Sequence, residues 1–167
     1  MTIVALDPGP QLSAILAWDG SEILWQEIVD SPDAAVRVVA KATAPGMSRL
    51  PVRLAIEKVE SYGMAVGAEV FDTCLVAGRC YQAWIERSRA SGIEPALIGR
   101  GKVKLHLCQS MRAKDSNIRQ ALIDRFGPPG TKKAPGVLYG VKSHLWAALA
   151  LAVYAHDTFS GEGEAVA

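Results

Sequence analysis

Residues 2–29 read TIVALDPGPQLSAILAWDGSEILWQEIV, and this stretch decides the fold class. Thr2–Leu6 is a short apolar run rich in β-branched residues, halted by the turn signal Asp7-Pro8-Gly9. Such a run, bounded by turn residues, predicts a fully buried strand. Residues 12–18 predict a second strand and residues 22–29 a third, with Asp19-Gly20 between them as a two-residue hairpin turn. The chain therefore opens on an antiparallel meander.

Further along, the pattern changes from strand to helix. Ser31-Pro32-Asp33 suits a helix start, Ser31 as cap and Pro32 in the first turn, with the helix ending near Thr43 before Ala44-Pro45-Gly46. Residues 52–57 predict a buried strand with an acid at its end, 66–89 a long helix, and 93–98 a last strand. Residues 99–109 form a basic helix or turn, and residues 114–126 a better helix closed by Gly127-Pro128-Pro129-Gly130. Residues 127–140, full of Gly, Pro and Lys, read as a mobile loop, and residues 143–158 as the final helix. The expected architecture is α/β: a five-stranded mixed sheet, with an antiparallel meander and then parallel strands, flanked by helices. One domain spans residues 1–159, and residues 160–167 form a disordered tail.

The chain has 167 residues, of which 50% are apolar and 21% charged, enough to close a core without disulfide or structural metal. The three cysteines, Cys74, Cys80 and Cys108, have no CxxC spacing and read as reduced thiols. The N-terminus lacks a basic signal region, and the apolar stretch 145–155 is too short to span a bilayer. A protein of the cytoplasm without membrane partner is the expectation.

The net charge of +1 hides an asymmetry. Residues 1–99 carry −4, residues 100–133 carry +7 from nine Lys/Arg against two acids, and residues 134–167 carry −2. Basic charge concentrated beside Gly-rich loops suits a polyanion, because each neutralised phosphate releases counter-ions. A solvated basic face is the alternative. Two acids stand out for the opposite reason. Asp7 and Glu57 each end a buried strand, where a carboxylate is poorly solvated and needs a partner. On adjacent strands they could share a hard divalent cation; each could equally pair with a nearby Lys or Arg. Asp7-Pro8-Gly9-Pro10 lacks the Gly-Lys-Ser/Thr ending of a phosphate-binding loop, so no nucleotide cofactor is expected.

Several segments resemble RuvC-type Holliday-junction resolvases, of the phage or prophage kind, which implies a bacterial or phage-infected cell. Ala5-Leu6-Asp7-Pro8-Gly9 looks like that family's first strand, and Leu54-Ala55-Ile56-Glu57-Lys58-Val59 like its second motif. Val76-Ala77-Gly78-Arg79 is similar to its small-residue helix. Val103-Lys104 and Arg112-Ala113-Lys114-Asp115-Ser116 resemble its basic third region, and Ser143-His144-Leu145-Trp146-Ala147-Ala148-Leu149-Ala150 its last helix. The resemblance covers residues 2–157 in order. It implies an RNase H-like fold, a homodimer, two Mg²⁺ or Mn²⁺ ions per active site, and hydrolytic nicking of four-way junctions or other branched DNA.

Carried over by position, Asp7, Glu57 and His144 match catalytic metal ligands, and Lys104 matches a basic catalytic residue facing the phosphate. Ala147 stands where the family has its final Asp, and it offers no oxygen. Glu60 and Asp115 are the candidate substitute ligands, Glu60 lying just beyond the Glu57 strand. Asp115 begins a helix and reads first as a favourable N-terminal acid. Lys102, Lys104, Arg112 and Lys114 are the expected DNA contacts, with Tyr62 or Met64 as the residue to stack on opened bases. His106 reads as a phosphate contact or plain surface, and His156 as a favourable charge near a helix C-terminus. Trp84 and Trp146 read as core or dimer contacts, and Gly67, Ala77 and Gly78 as a close-packing stripe. Two readings follow: a metal-dependent, structure-selective endonuclease, or an RNase H-like module that binds branched DNA without cutting because its site is damaged at Ala147. A small-molecule phosphotransferase ranks last, since the second lobe and phosphate-gripping loops are missing.

Overall fold

The computed structural model describes residues 1–42, 52–61, 63, 65–88 and 92–164. Three strands open the chain, β1 (Thr2–Asp7), β2 (Ser13–Trp18) and β3 (Ile23–Val29), followed by α1 (Pro32–Ala42), β4 (Val52–Lys58) and α2 (Ala68–Ser88). Then come β5 (Ala96–Gly99), α3 (Arg100–Cys108), α4 (Asp115–Phe126), a small hairpin β6–β7 (Gly130–Thr131 and Ala134–Pro135) and α5 (Leu145–Glu164). The main sheet has the order β3-β2-β1-β4-β5. β1–β2 and β2–β3 pair antiparallel, β1–β4 and β4–β5 parallel. This is the expected RNase H-like α/β arrangement.

Strand alternation sorts the side chains into two cores. Ile3, Ala5, Leu16, Trp18 and Ala55 face α3, α4 and α5. Val4, Leu6, Ile15, Leu54 and Ile56 face α1 and α2, where Val76, Cys80 and Trp84 meet them. The central strands are thus buried on both faces, which explains their near-continuous apolar sequence. α5 is apolar almost all round because it lies between the sheet and α3–α4; Ala148 to Val153 are all buried. Trp84 is a core residue whose indole Nε1–H donates to the Ile93 carbonyl at 3.2 Å.

Several boundaries differ from expectation. The β2–β3 connection is a loop over residues 19–22, not a two-residue turn: the register shifts at Ala17/Trp18, and the Asp19 carboxylate accepts from the Ser21 and Glu22 N–H groups, replacing ladder bonds. Gly20 has φ 106°, and a Cβ there would collide with the His156 imidazole. The last strand of the sheet is Ala96–Gly99, later than 93–98. The 127–140 stretch carries the β6–β7 hairpin, and it packs Leu138 into the core. α5 extends to Glu164, so residues 160–164 belong to the helix and His156 lies in its interior rather than at its end. The Ser31 cap forms as expected, its Oγ accepting from the Ala34 N–H at 3.1 Å.

α3, α4 and α5 are stapled by one acid. Asp157 accepts from Arg125 Nη1 at 2.6 Å and Nη2 at 2.9 Å, and lies 2.8 Å from His106 Nε2. The His106 ring meets Tyr154 edge-on at 5.3 Å. His106 is therefore a fold contact, not a phosphate contact or plain surface. Burial alone would raise the Asp157 carboxyl, but the hydrogen bonds from Arg125 and His106 outweigh it and hold the group below its ordinary range. A depressed acid contributes stability above its unfolded value and loses it as pH falls through the folded one. Asp157→Asn is expected to lower the unfolding free energy by about 1–3 kcal/mol at neutral pH. Urea titrations should show that gap closing in strong acid.

Candidate functional site

The site follows from register and alternation. Leu6 pairs with Ile56 across the parallel β1–β4 ladder, so Asp7 and Glu57 sit side by side at the carboxyl ends of their strands. Both share the parity of Ala5 and Ala55 and face α5. β5 ends level with them, Lys58 pairing with Gly99, and α3 begins at once with Arg100. That places a guanidinium beside both acids.

Arg100 Nη1 donates to Glu57 Oε1 and Oε2, at 3.0 Å each, and Nη2 donates to Asp115 Oδ1 at 2.8 Å. Glu57 is mostly buried, its side chain 18% exposed, whereas Asp115 is open to solvent. Burial pulls the Arg100 guanidinium down, but Glu57 and Asp115 more than offset this and hold it above its ordinary value. Asp115, although first in α4, spends its carboxylate on Arg100; the α4 start is tied instead by the Lys114 N–H donating to Asn117 Oδ1 at 2.9 Å.

Asp7 is differently placed. Its carboxyl is pushed up to about 7, first by burial, then by the neighbouring Glu57 charge; Arg100 lowers it and Asp115 adds a smaller rise. His144 Nδ1 lies 3.5 Å from Asp7 Oδ2. Ser143 precedes it with φ 46°, a left-handed conformation costly for a residue with a Cβ, which turns the chain into α5 directly over the end of β1. Asp7, Arg100, Asp115, Ser143, His144, Trp146 and Ala147 line one cleft of about 410 Å³, floored by Ile118. Trp146 lines the cleft with the Arg119 guanidinium 4.9 Å over its ring, and it packs against the core on its other side, as expected.

The remaining expected residues sit around this cleft. Lys104 lies one turn beyond Arg100 on α3, close enough to lower the Asp115 carboxyl electrostatically. Lys102, Arg112 and Lys114 are exposed on α3, the following turn and the α4 start. Glu60 lies just past β4, its carboxylate packed over the Gly99 Cα where a Cβ would fall. Tyr62 and Met64 lie outside the described residues. Arg100 was counted only as one of nine basic residues. The signal that finds it is positional: the residue after the third parallel strand comes to the same sheet edge as Asp7 and Glu57.

By sequence, the chain matches no protein-family model and no curated protein. By structure, it is similar to Thermus thermophilus RuvC, at 20% identity and a TM-score of 0.65, over 98% of this chain and 97% of that one. It is similar also to T. thermophilus RuvC in complex with a Holliday junction substrate, at 19% identity and a TM-score of 0.67, over 98% and 96%. The chain has the RuvC fold. RuvC-type enzymes are expected to hold divalent metal, and the residues present do not fit one. Both Glu57 oxygens face Arg100, Ala147 supplies no ligand, and among the described residues no group of three or more His, Cys, Asp or Glu side chains is arranged to hold an ion.

The raised Asp7 carboxyl has a stability consequence. An acid whose folded value lies above its unfolded value contributes fully below the unfolded value, 3.8, and loses that contribution as pH rises through about 7. Ionised Asp7 therefore weighs against folding. Asp7→Asn is expected to stabilise the protein by on the order of 2–4 kcal/mol at about pH 8, and to change little in acid. Thermal melts at the two pH values measure this directly.

Proposed function

We propose that this protein is an RNase H-like module that binds branched DNA, four-way junctions included, without cutting it. The observation that carries the reading is the pairing of Glu57 with Arg100, which puts a guanidinium where a nuclease of this fold needs a hard cation. Ala147 supports it, since the cleft wall there has no ligand. DNA would lie across α3 and the start of α4, where Lys102, Lys104, Arg112 and Lys114 present charge to phosphates around the cleft mouth. The neighbour structure of T. thermophilus RuvC with a Holliday junction substrate supports a branched ligand.

A second reading is favoured by the placement of Asp7 beside Glu57 at the ends of adjacent strands, with His144 Nδ1 3.5 Å from Asp7 Oδ2. On that reading the protein is a crossover-junction endonuclease using Mg²⁺ or Mn²⁺, with Asp7, Glu57, His144 and Glu60 as ligands and Lys104 facing the phosphate. One experiment separates the two. Labelled four-way junction and matched linear duplex are incubated with the protein in Mg²⁺, then in Mn²⁺. The module should bind the junction in preference to the duplex and give no product in either metal. Neutralising Lys102, Lys104 and Lys114 together should flatten the salt dependence of log K by about 2–3. Paired nicks that disappear on Asp7→Asn and Glu57→Gln would instead establish the nuclease, and absence of junction binding would end both readings.

The protein would act as a homodimer. α2 carries Phe71 and Leu75 one turn apart and 66% and 64% exposed, with Cys74 and Gly78 beside them, an apolar stripe that a second copy would cover. Two modules related by a two-fold axis match the symmetry of a junction. Phe71→Asp combined with Leu75→Asp should convert dimer to monomer in sedimentation velocity while leaving the circular dichroism unchanged.

A further inference from the structure

We infer that Arg100 is a built-in competitor for divalent cation: its guanidinium excludes the ion from the Asp7–Glu57 pair, and Asp115 locks it there. This rests on the non-cutting reading and deepens it. Arg100 lies between two acids on different elements, with one Nη spanning both oxygens of Glu57 and the other Nη on Asp115. A planar guanidinium is charged at every working pH and holds such a fork geometry, which a lysine ammonium cannot reproduce. Its position is set by the backbone, because Gly99 ends β5 level with Lys58 and leaves no slack before α3.

The placement of charge points the same way. Asp7, Glu57 and Asp115 are three acids about one guanidinium, whose donors go to Glu57 and Asp115. A doubly charged ion held between Asp7 and Glu57 would need the Glu57 oxygens that Arg100 covers. Asp115 also lines the cleft, and its Oδ1 is the second anchor of the guanidinium.

The test uses the full chain without DNA, titrated with Mn²⁺ and followed by the electron-paramagnetic signal of the free ion. Wild type should bind weakly. Arg100→Gln should bind at least tenfold more tightly, and Glu57→Gln added to it should remove the gain. Arg100→Lys, which cannot span both acids, and Asp115→Asn, which removes one anchor, should each give a smaller gain; these two variants carry the test if Arg100→Gln fails to fold. Equal affinity in wild type and every folded Arg100 or Asp115 variant would overturn the inference, as would tight binding by wild type or a gain that survives Glu57→Gln. Failure to bind a junction overturns the proposed function alone, since no DNA is present in the titration.

Discussion

The structure depends on the common ending of three parallel strands. β1, β4 and β5 run in one direction and stop at one level, so whatever follows or terminates them is brought together at a single edge. In this chain those residues are Asp7, Glu57 and Arg100. Parallel pairing needs long crossovers, and these crossovers, α1 and α2, cover one face. The other face is left to α5, whose start brings His144 over the same edge. The site is the place where backbone topology concentrates chemistry.

Energetically the edge is a compromise. Carboxylates at the ends of buried strands lose solvation, and each needs a compensating charge or proton. Glu57 has a two-oxygen pairing with Arg100. Asp7 has His144 at longer range and a carboxyl pushed toward neutrality. The left-handed Ser143 adds local backbone cost at the same spot. The local costs thus gather at one edge of the sheet. The stabilising interactions lie elsewhere, in the double apolar core and in the Asp157 staple that ties α3 and α4 to α5.

The RuvC fold supplies the scaffold, and the side chains decide what is done with it. At the strand ends Ala147 offers no oxygen and Arg100 takes both oxygens of Glu57. Around the cleft Lys102, Arg112 and Lys114 are exposed and Lys104 is half-buried.

Much of this was legible in the residues. The apolar runs ending in Asp7 and Glu57 established the central strands and marked the acids, because an ionised group at the end of a buried run has few explanations. Ser31 announced its helix through local chemistry, and the excess of Lys and Arg over residues 100–133 located the basic face. Other features were not legible. That Arg100 meets Glu57 rather than solvent depends on where β5 ends relative to β4, a register that hydrophobic pattern does not encode to within one residue. The His106–Asp157–Arg125 staple joins residues 32 to 51 positions apart, and its charges look like surface until three helices pack. Local sequence determines which groups are uncomfortable alone; only the packed chain decides which partner relieves them, because pairing between distant residues is set by long-range geometry.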